Sequence, residues 1–259
     1  MEKKLATKIN LIVAVVFTVF TILPILAPIF AELKLYALSD AIYWGFQWFC
    51  HQRPWRSYHL FDYQLALDAR MMLIFGSIAV SAFIIHFKKV PAMRPKRALL
   101  FALLMITPLA VDGIIQAIAE IDSFNSGELP FYESTNLLRS LTGAFFGTGF
   151  AFAALPFLQD GNRSKGKGKF LIWVLVSLVL SIALVPLLTL LWSLTSVKYR
   201  PSSVLLDNMQ RFPGYNYEIT TGGGHSTIKR IIAEPATIYL DRAERYDRQN
   251  LIDEYNSNK

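Results

Sequence analysis

Cys50 and His51 stand side by side in this chain, with Gln52, Arg56 and Ser57 close behind. A thiolate and an imidazole are suitable ligands for zinc or a similar divalent metal, and a carboxylate adds an oxygen donor. Cys50, His51 and Asp68 are therefore one candidate metal set, although their spacing matches no ordinary zinc motif. The same pair is also a pattern for an activated nucleophile, with Glu133 as a further catalytic group and Arg56 and Arg139 holding an anion. A blander reading treats Cys50 as a small buried hydrophobe and lets His51 and Arg56 bond to loop carbonyls or lipid phosphate. Cys50 is the only cysteine, so no disulfide forms within the chain.

Further along, Arg70, Asp112, Gln116, Glu133, Asn136 and Arg139 interrupt otherwise apolar sequence. With Gln52, Arg56 and Ser57, all of these but the catalytic candidate Glu133 make up the candidate ligand-binding residues. Asp112 and Gln116 are four residues apart and share a helix face. An ionised carboxylate within a membrane span is disfavoured by ~2.5–3.5 kcal/mol, so Asp112 needs a partner or a wet cavity. At 1.5 Å per residue, Asp112 and Arg139 are expected at comparable depth, roughly 9–12 Å from their helix ends, where they can pair. Glu133, Asn136 and Arg139 follow at three-residue steps and are expected to form one stripe of a helix.

The elements that must position these residues are five apolar segments, about Asn10–Ala31, Arg70–Phe87, Ala98–Ala119, Thr135–Leu158 and Phe170–Ser196. Each is long enough to cross a ~30 Å hydrocarbon core. None alternates like a strand, and a span in lipid must satisfy its own backbone, so helices are expected. The first apolar run is too long for a ~7–15-residue signal core and reads as a retained span. A composition of 53% hydrophobic and 17% charged residues excludes an ordinary soluble core. The expectation is an all-α, polytopic helical membrane protein.

Charge orients it. Lys3, Lys4 and Lys8 precede the first span, Lys88, Lys89, Arg94, Lys96 and Arg97 join the second to the third, and Arg163, Lys165, Lys167 and Lys169 join the fourth to the fifth. The alternate loops hold few bases and carry Glu120, Asp122, Glu128 and Glu133. The positive-inside rule then puts the N-terminus in the cytoplasm and the C-terminal tail outside. The +7 net charge is mostly this asymmetry, which argues for a membrane leaflet and against nucleic acid.

Residues 1–196 read as the transmembrane domain. Between the first two spans, Leu38–Asp68 is crowded with Tyr43, Trp44, Phe46, Trp48, Phe49, Trp55, Tyr58, Phe61 and Tyr63, and such rings favour the headgroup level. Ser39 is placed to cap a short helix there. Residues 197–259 form a small external tail. Tyr215–Thr220 and Thr227–Ala233, separated by Gly222-Gly-Gly224, suggest a hairpin, and Asp241–Tyr255 a short charged helix.

Four ordered blocks carry a resemblance: Cys50-His-Gln with Arg56-Ser57; Asp68-Ala-Arg-Met71 leading to Gly76; Asp112-Gly-Ile-Ile-Gln116; and Ser134-Thr-Asn-Leu-Leu-Arg139 with Thr142-Gly143. Over about 38–157 the chain resembles a family of small multipass prokaryotic membrane proteins classed as a domain of unknown function. That family's pattern has Cys-x-Arg-Cys where this chain has Asp68 and Met71 around Arg70. The three-cysteine metal or redox centre such a pattern implies cannot form here. Either Asp68 replaces a thiolate in an altered site, or the metal is lost and the scaffold kept.

The reading that follows is an outer-face polar pocket that binds or processes an anionic or lipid-derived ligand, with or without a zinc-like metal. Two alternatives stand beside it: a small transporter or lipid translocase, and a non-catalytic assembly subunit whose tail docks a protein partner. No inverted repeat or paired broken helices favour the transporter.

Overall fold

Leu, Ile, Val, Phe and Ala fill the expected spans, and in the computed structural model all five are helical: Lys8–Glu32, Ala69–Lys88, Pro95–Asp122, Asn136–Leu158 and Phe170–Thr195. The protein is an all-α, polytopic membrane protein through these helices. The structure describes residues 2–50, 52–53, 56–126, 131–158, 169–196, 216–222, 225–231, 237–240 and 244–247, with side chains described within 8–122, 131–158 and 169–196. In chain order the elements are α1 (Glu2–Glu32), α2 (Tyr36–Phe46), β1 (His59–Leu60), β2 (Tyr63–Gln64), α3 (Ala69–Lys88), α4 (Pro95–Ser126) and α5 (Asn136–Ala154). A 3-10 turn at Leu155–Leu158, α6 (Phe170–Ile182), α7 (Leu184–Thr195) and strands β3 (Asn216–Gly222), β4 (His225–Ile231), β5 (Thr237–Leu240) and β6 (Glu244–Asp247) complete the set.

Local chemistry explains the helix ends. Thr135 caps α5 by accepting the Leu138 N–H at 3.2 Å. The fifth span is two helices because Pro186 cannot donate to the Ile182 carbonyl, and the chain turns at Ala183. Lys89 closes α3 in the left-handed region at φ 49°, with the Val90 N–H returning to the Ile85 carbonyl. Lys34 closes α1 likewise at φ 61°, with Leu35 N–H on the Phe30 carbonyl. These are Schellman caps built on lysine where glycine is usual.

The chain forms two compact units. The first comprises Met1–Ile22, Ala69–Gln116 and Ser134–Pro186. Its centre is α3 against α5. Their span windows are 61% and 56% buried, against 17% and 11% for α1 and α4, which turn their Val, Leu and Ile outward. Lipid tails are as apolar as leucine, so close packing must hold helices together there. Gly143 and Gly147 supply it. A Cβ at Gly143 would stand 2.5 Å from the Arg70 carbonyl oxygen, and one at Gly147 would collide with Ser77 Oγ and the Ile74 carbonyl. Ala14, Ala82, Ile85, Ala151, Phe152 and Val174 form the adjoining core. Ser81 and Ser177 share a 2.7 Å hydrogen bond between α3 and α6.

The second unit comprises Leu23–Asp68, Ala117–Glu133 and Leu187–Lys259. Ser39 does not begin a helix here. It lies inside α2, and its hydroxyl donates to the Ala27 carbonyl at 2.9 Å. The aromatic segment divides by burial. Tyr43, Phe46, Tyr58 and Tyr63 are buried, whereas Trp44, Trp48 and Phe49 are exposed. Pro28 has no N–H for the Pro24 carbonyl, and the Ala66 N–H takes that acceptor at 3.3 Å. β1 and β2 form a hairpin turned by Phe61 and Asp62, both at positive φ (53° and 70°). Their N–H groups donate to Thr195 Oγ1 and Ser196 Oγ at 3.1 and 3.0 Å, which offsets a turn that usually needs Asn or Gly.

In the tail, β3 and β4 pair antiparallel from Asn216↔Ile231 to Gly222↔His225, along the segments expected as a hairpin. The four strands run in the order β4-β3-β5-β6. Where a helix was expected over Asp241–Tyr255, the described residues Glu244–Asp247 are a strand. They pair with Thr237–Leu240, whose β-branched and aromatic residues favour a sheet over local helix propensity.

Candidate functional site

The chemistry-bearing residues fall into two clusters, one in each unit. In the second unit, Gln52 is fixed by its backbone at φ 50° and is buried. Its side-chain amide donates to the Tyr43 carbonyl at 2.8 Å and the Ala66 carbonyl at 3.1 Å, and its own carbonyl accepts from Gln64 Nε2 at 2.7 Å. That makes Gln52 a brace between α2 and the hairpin. The Gln52 N–H also points at Cys50 Sγ, 3.3 Å away.

Cys50 is buried beside Asp68. Burial and the neighbouring carboxylate both push its thiol well above the ordinary value, and hydrogen bonds from the Gln52 and Asp68 backbones offset this only in part. The residue is set up as a neutral thiol, the opposite of an activated nucleophile. Among the described residues no group of three His, Cys, Asp or Glu converges to hold a metal. Cys50 and Asp68 stand together as two donors. His51, the third candidate ligand and a candidate catalytic residue, lies outside the described residues.

The same unit holds an ionic cluster. Arg53 Nη1 donates to Glu120 Oε1 at 2.8 Å, Arg56 Nη2 donates to the same oxygen, and Arg56 Nε donates to Glu133 Oε1 at 3.2 Å. Burial and the adjacent Arg53 push Arg56 below the ordinary arginine value, while Glu133 and Glu120 pull it back. Ser57 lies beneath, its hydroxyl donating to the Arg53 carbonyl at 3.3 Å. Glu133 precedes α5, which begins at Asn136, so the expected helical stripe is confined to Asn136 and Arg139. His59, its ring tilted by 37° against Trp192 at 4.7 Å, is held neutral by burial, its value lowered to about 3.

In the first unit Asp112 is buried and accepts from Arg70 Nη2 and from Ser134 Oγ at 3.0 Å. Arg70 pairs with Asp112, a partner the sequence reading did not offer beside Arg139. Residues Asp112 and Arg70 come from α4 and α3, and the α3 start is drawn close by Gly143. Arg139 is fully buried, with Nη1 3.4 Å from Asn136 Oδ1. Gln116 is buried one turn beyond Asp112. Arg53, Glu120 and Ser134 were absent from the expected site. An acidic loop facing an Arg-rich segment was the available signal for the first two.

The chain is identified with the class its spans define, a polytopic membrane protein, and it belongs to the family described as "Predicted membrane protein (DUF2085)", which matches residues 50–153. It is 32% identical over 167 residues to an uncharacterised protein of Methanocaldococcus jannaschii, an alignment covering 62% of this chain and 99% of that relative. No solved structure matches.

Proposed function

We propose that this membrane protein binds an anionic, lipid-derived ligand at the Arg53–Arg56 cluster, without thiol chemistry. The observation carrying this reading is the convergence of two guanidiniums on one anionic oxygen, Glu120 Oε1. Guanidiniums so aimed suit a phosphate or carboxylate oxygen, and two of them repel unless an anion lies between. Glu120 is the resident anion, and a ligand headgroup takes its place. The neutral Cys50 supports binding over processing. The orientation that goes with this reading has the N-terminus cytoplasmic and the tail outside.

The test is calorimetric titration of the full-length protein in zwitterionic detergent with short-chain phosphatidic acid. Arg53→Gln with Arg56→Gln weakens binding by about tenfold or more, the scale of charge-assisted hydrogen bonds. Glu120→Gln leaves binding intact or tightens it. Absence of binding to wild type, or equal binding by the double variant, overturns the reading.

An assembly role is a second reading, favoured by the tail sheet, whose outermost strands β4 and β6 each pair on one side among the described residues. Such edges add strands from partners. Deleting 201–259 then removes a stoichiometric partner that copurifies with the full chain.

A further inference from the structure

The exposed bases that this function leaves unused gather at one end of the first unit. Lys88 and Lys89 close α3, Arg94, Lys96 and Arg97 lead into α4, and Lys169 precedes α6. The core places these helix ends together. Ile85 and Val90 from the end of α3 belong to one hydrophobic cluster with Phe101 of α4, Leu155 after α5, and Phe170 and Trp173 of α6. Phe170 meets Phe101 and Phe152 edge-on, both at 5.6 Å between centroids. Among the residues of this unit whose side chains are described, the one carboxylate is Asp112, and it is engaged by Arg70. No acidic side chain is described at the basic end.

One of these cations is held in place. Lys88 Nζ lies 5.1 Å from the Trp173 ring centroid. A cation–π contact restrains the ammonium and leaves N–H donors for another partner, since the ammonium carries three. Phe87 beside it is exposed and stacks on Phe83 at 6.2 Å, which gives the site an apolar flank. A tryptophan, an outward phenylalanine and a restrained ammonium at a span's end match the headgroup boundary of a bilayer, with acyl chains on one side and phosphate on the other.

We propose that this end of the first unit is a binding site for an anionic phospholipid headgroup. Lys88, seated on Trp173, contacts the phosphate, and the bases of the α4 start and Lys169 supply the surrounding field. A lone exposed lysine would give only diffuse attraction, whereas the indole fixes where the charge stands. Basic sites between helices at such a boundary select anionic headgroups on electrostatic grounds alone.

Native mass spectrometry of the full-length protein tests this, with phosphatidylglycerol and phosphatidylcholine of the same acyl chains added in turn. Wild type retains phosphatidylglycerol in preference. K88Q lowers that preference about fivefold, the worth of one basic residue near a membrane surface. Trp173→Leu, which keeps the charge and removes its seat, lowers it in part. K34Q makes the same change in net charge at an exposed position of the other unit and leaves the preference unchanged. Because the reading is a difference between K88Q and wild type, any lipid held at Arg53 and Arg56 cancels. Equal retention of the two lipids by wild type overturns the proposal, as does a K34Q effect equal to that of K88Q.

Discussion

At the scale of the residue, the identities of the reactive groups were visible in the sequence but their environments were not. Cys50 next to His51 reads as a nucleophile or a ligand. The fold buries the thiol against Asp68, and a carboxylate there opposes a second negative charge. Alkylation of the folded protein by iodoacetamide is accordingly expected to stay slow from pH 7 to pH 9, since raising the pH by two units does not reach the elevated thiol value. In denaturant the same thiol titrates near its ordinary value of 9.0 and alkylates readily. Asp68→Asn removes the smaller of the two causes and speeds the folded-state reaction modestly. Rapid alkylation of the native wild type near neutral pH would restore the nucleophile reading. Arg70 went unforeseen as a partner of Asp112 for a related reason. Counting residues from helix ends gives depth but not azimuth, and it is the packing of α3 beside α4 that sets the Arg70 guanidinium against Asp112, next to Gly113.

At the scale of the element, span number and extent were legible because apolar length is a one-dimensional signal. What decides how spans pack is which small residue meets which backbone. Gly143-x-x-x-Gly147 marks a packing face in the sequence, and the structure supplies its partners, the Arg70 and Ile74 carbonyls and Ser77. Gly147→Ala must push α5 from α3 and is expected to destabilise by ~1–3 kcal/mol, the usual cost of overpacking. Gly45→Ala in α2 meets nothing within 4 Å and replaces the poorer helix former, so it is expected to be neutral or slightly stabilising. Thermal unfolding in one detergent compares the two directly; equal midpoints would show that α3 and α5 are not held by this contact. The β1–β2 hairpin was illegible for the converse reason. Its turn residues, Phe61 and Asp62, are poor turn formers in isolation, and side chains 134 residues away in sequence satisfy them. The lysine caps at Lys34 and Lys89 escaped notice in the same way, since glycine is the residue expected there.

At the scale of the whole molecule, the fold class follows from composition, and the orientation is proposed from the distribution of charge. If the five candidate spans among the described residues all cross, the two ends of the span set face opposite sides of the bilayer. The bases flanking α3, α4 and α6 can be retained on one side only. In the proposed orientation that side is cytoplasmic, because positive loops resist translocation more strongly than acidic ones demand it. An alkaline phosphatase fused after Lys259 is then expected to be active in intact cells, and a green fluorescent protein fused before Met1 to be fluorescent. The decisive form of the experiment weakens the signal. Replacing Lys88, Lys89, Arg94, Lys96 and Arg97 by Gln strips the loop between the second and third spans of its bases while leaving every span intact. Phosphatase activity at the C-terminal fusion should fall as part of the population inserts inverted. If that variant keeps full activity, the bases around α4 do not set the orientation, and the Lys3–Lys8 segment or the loop before α6 must carry it. If the wild-type fusion is itself inactive, the tail faces the cytoplasm, and the Arg53–Arg56 cluster and the basic end exchange the leaflets assigned to them.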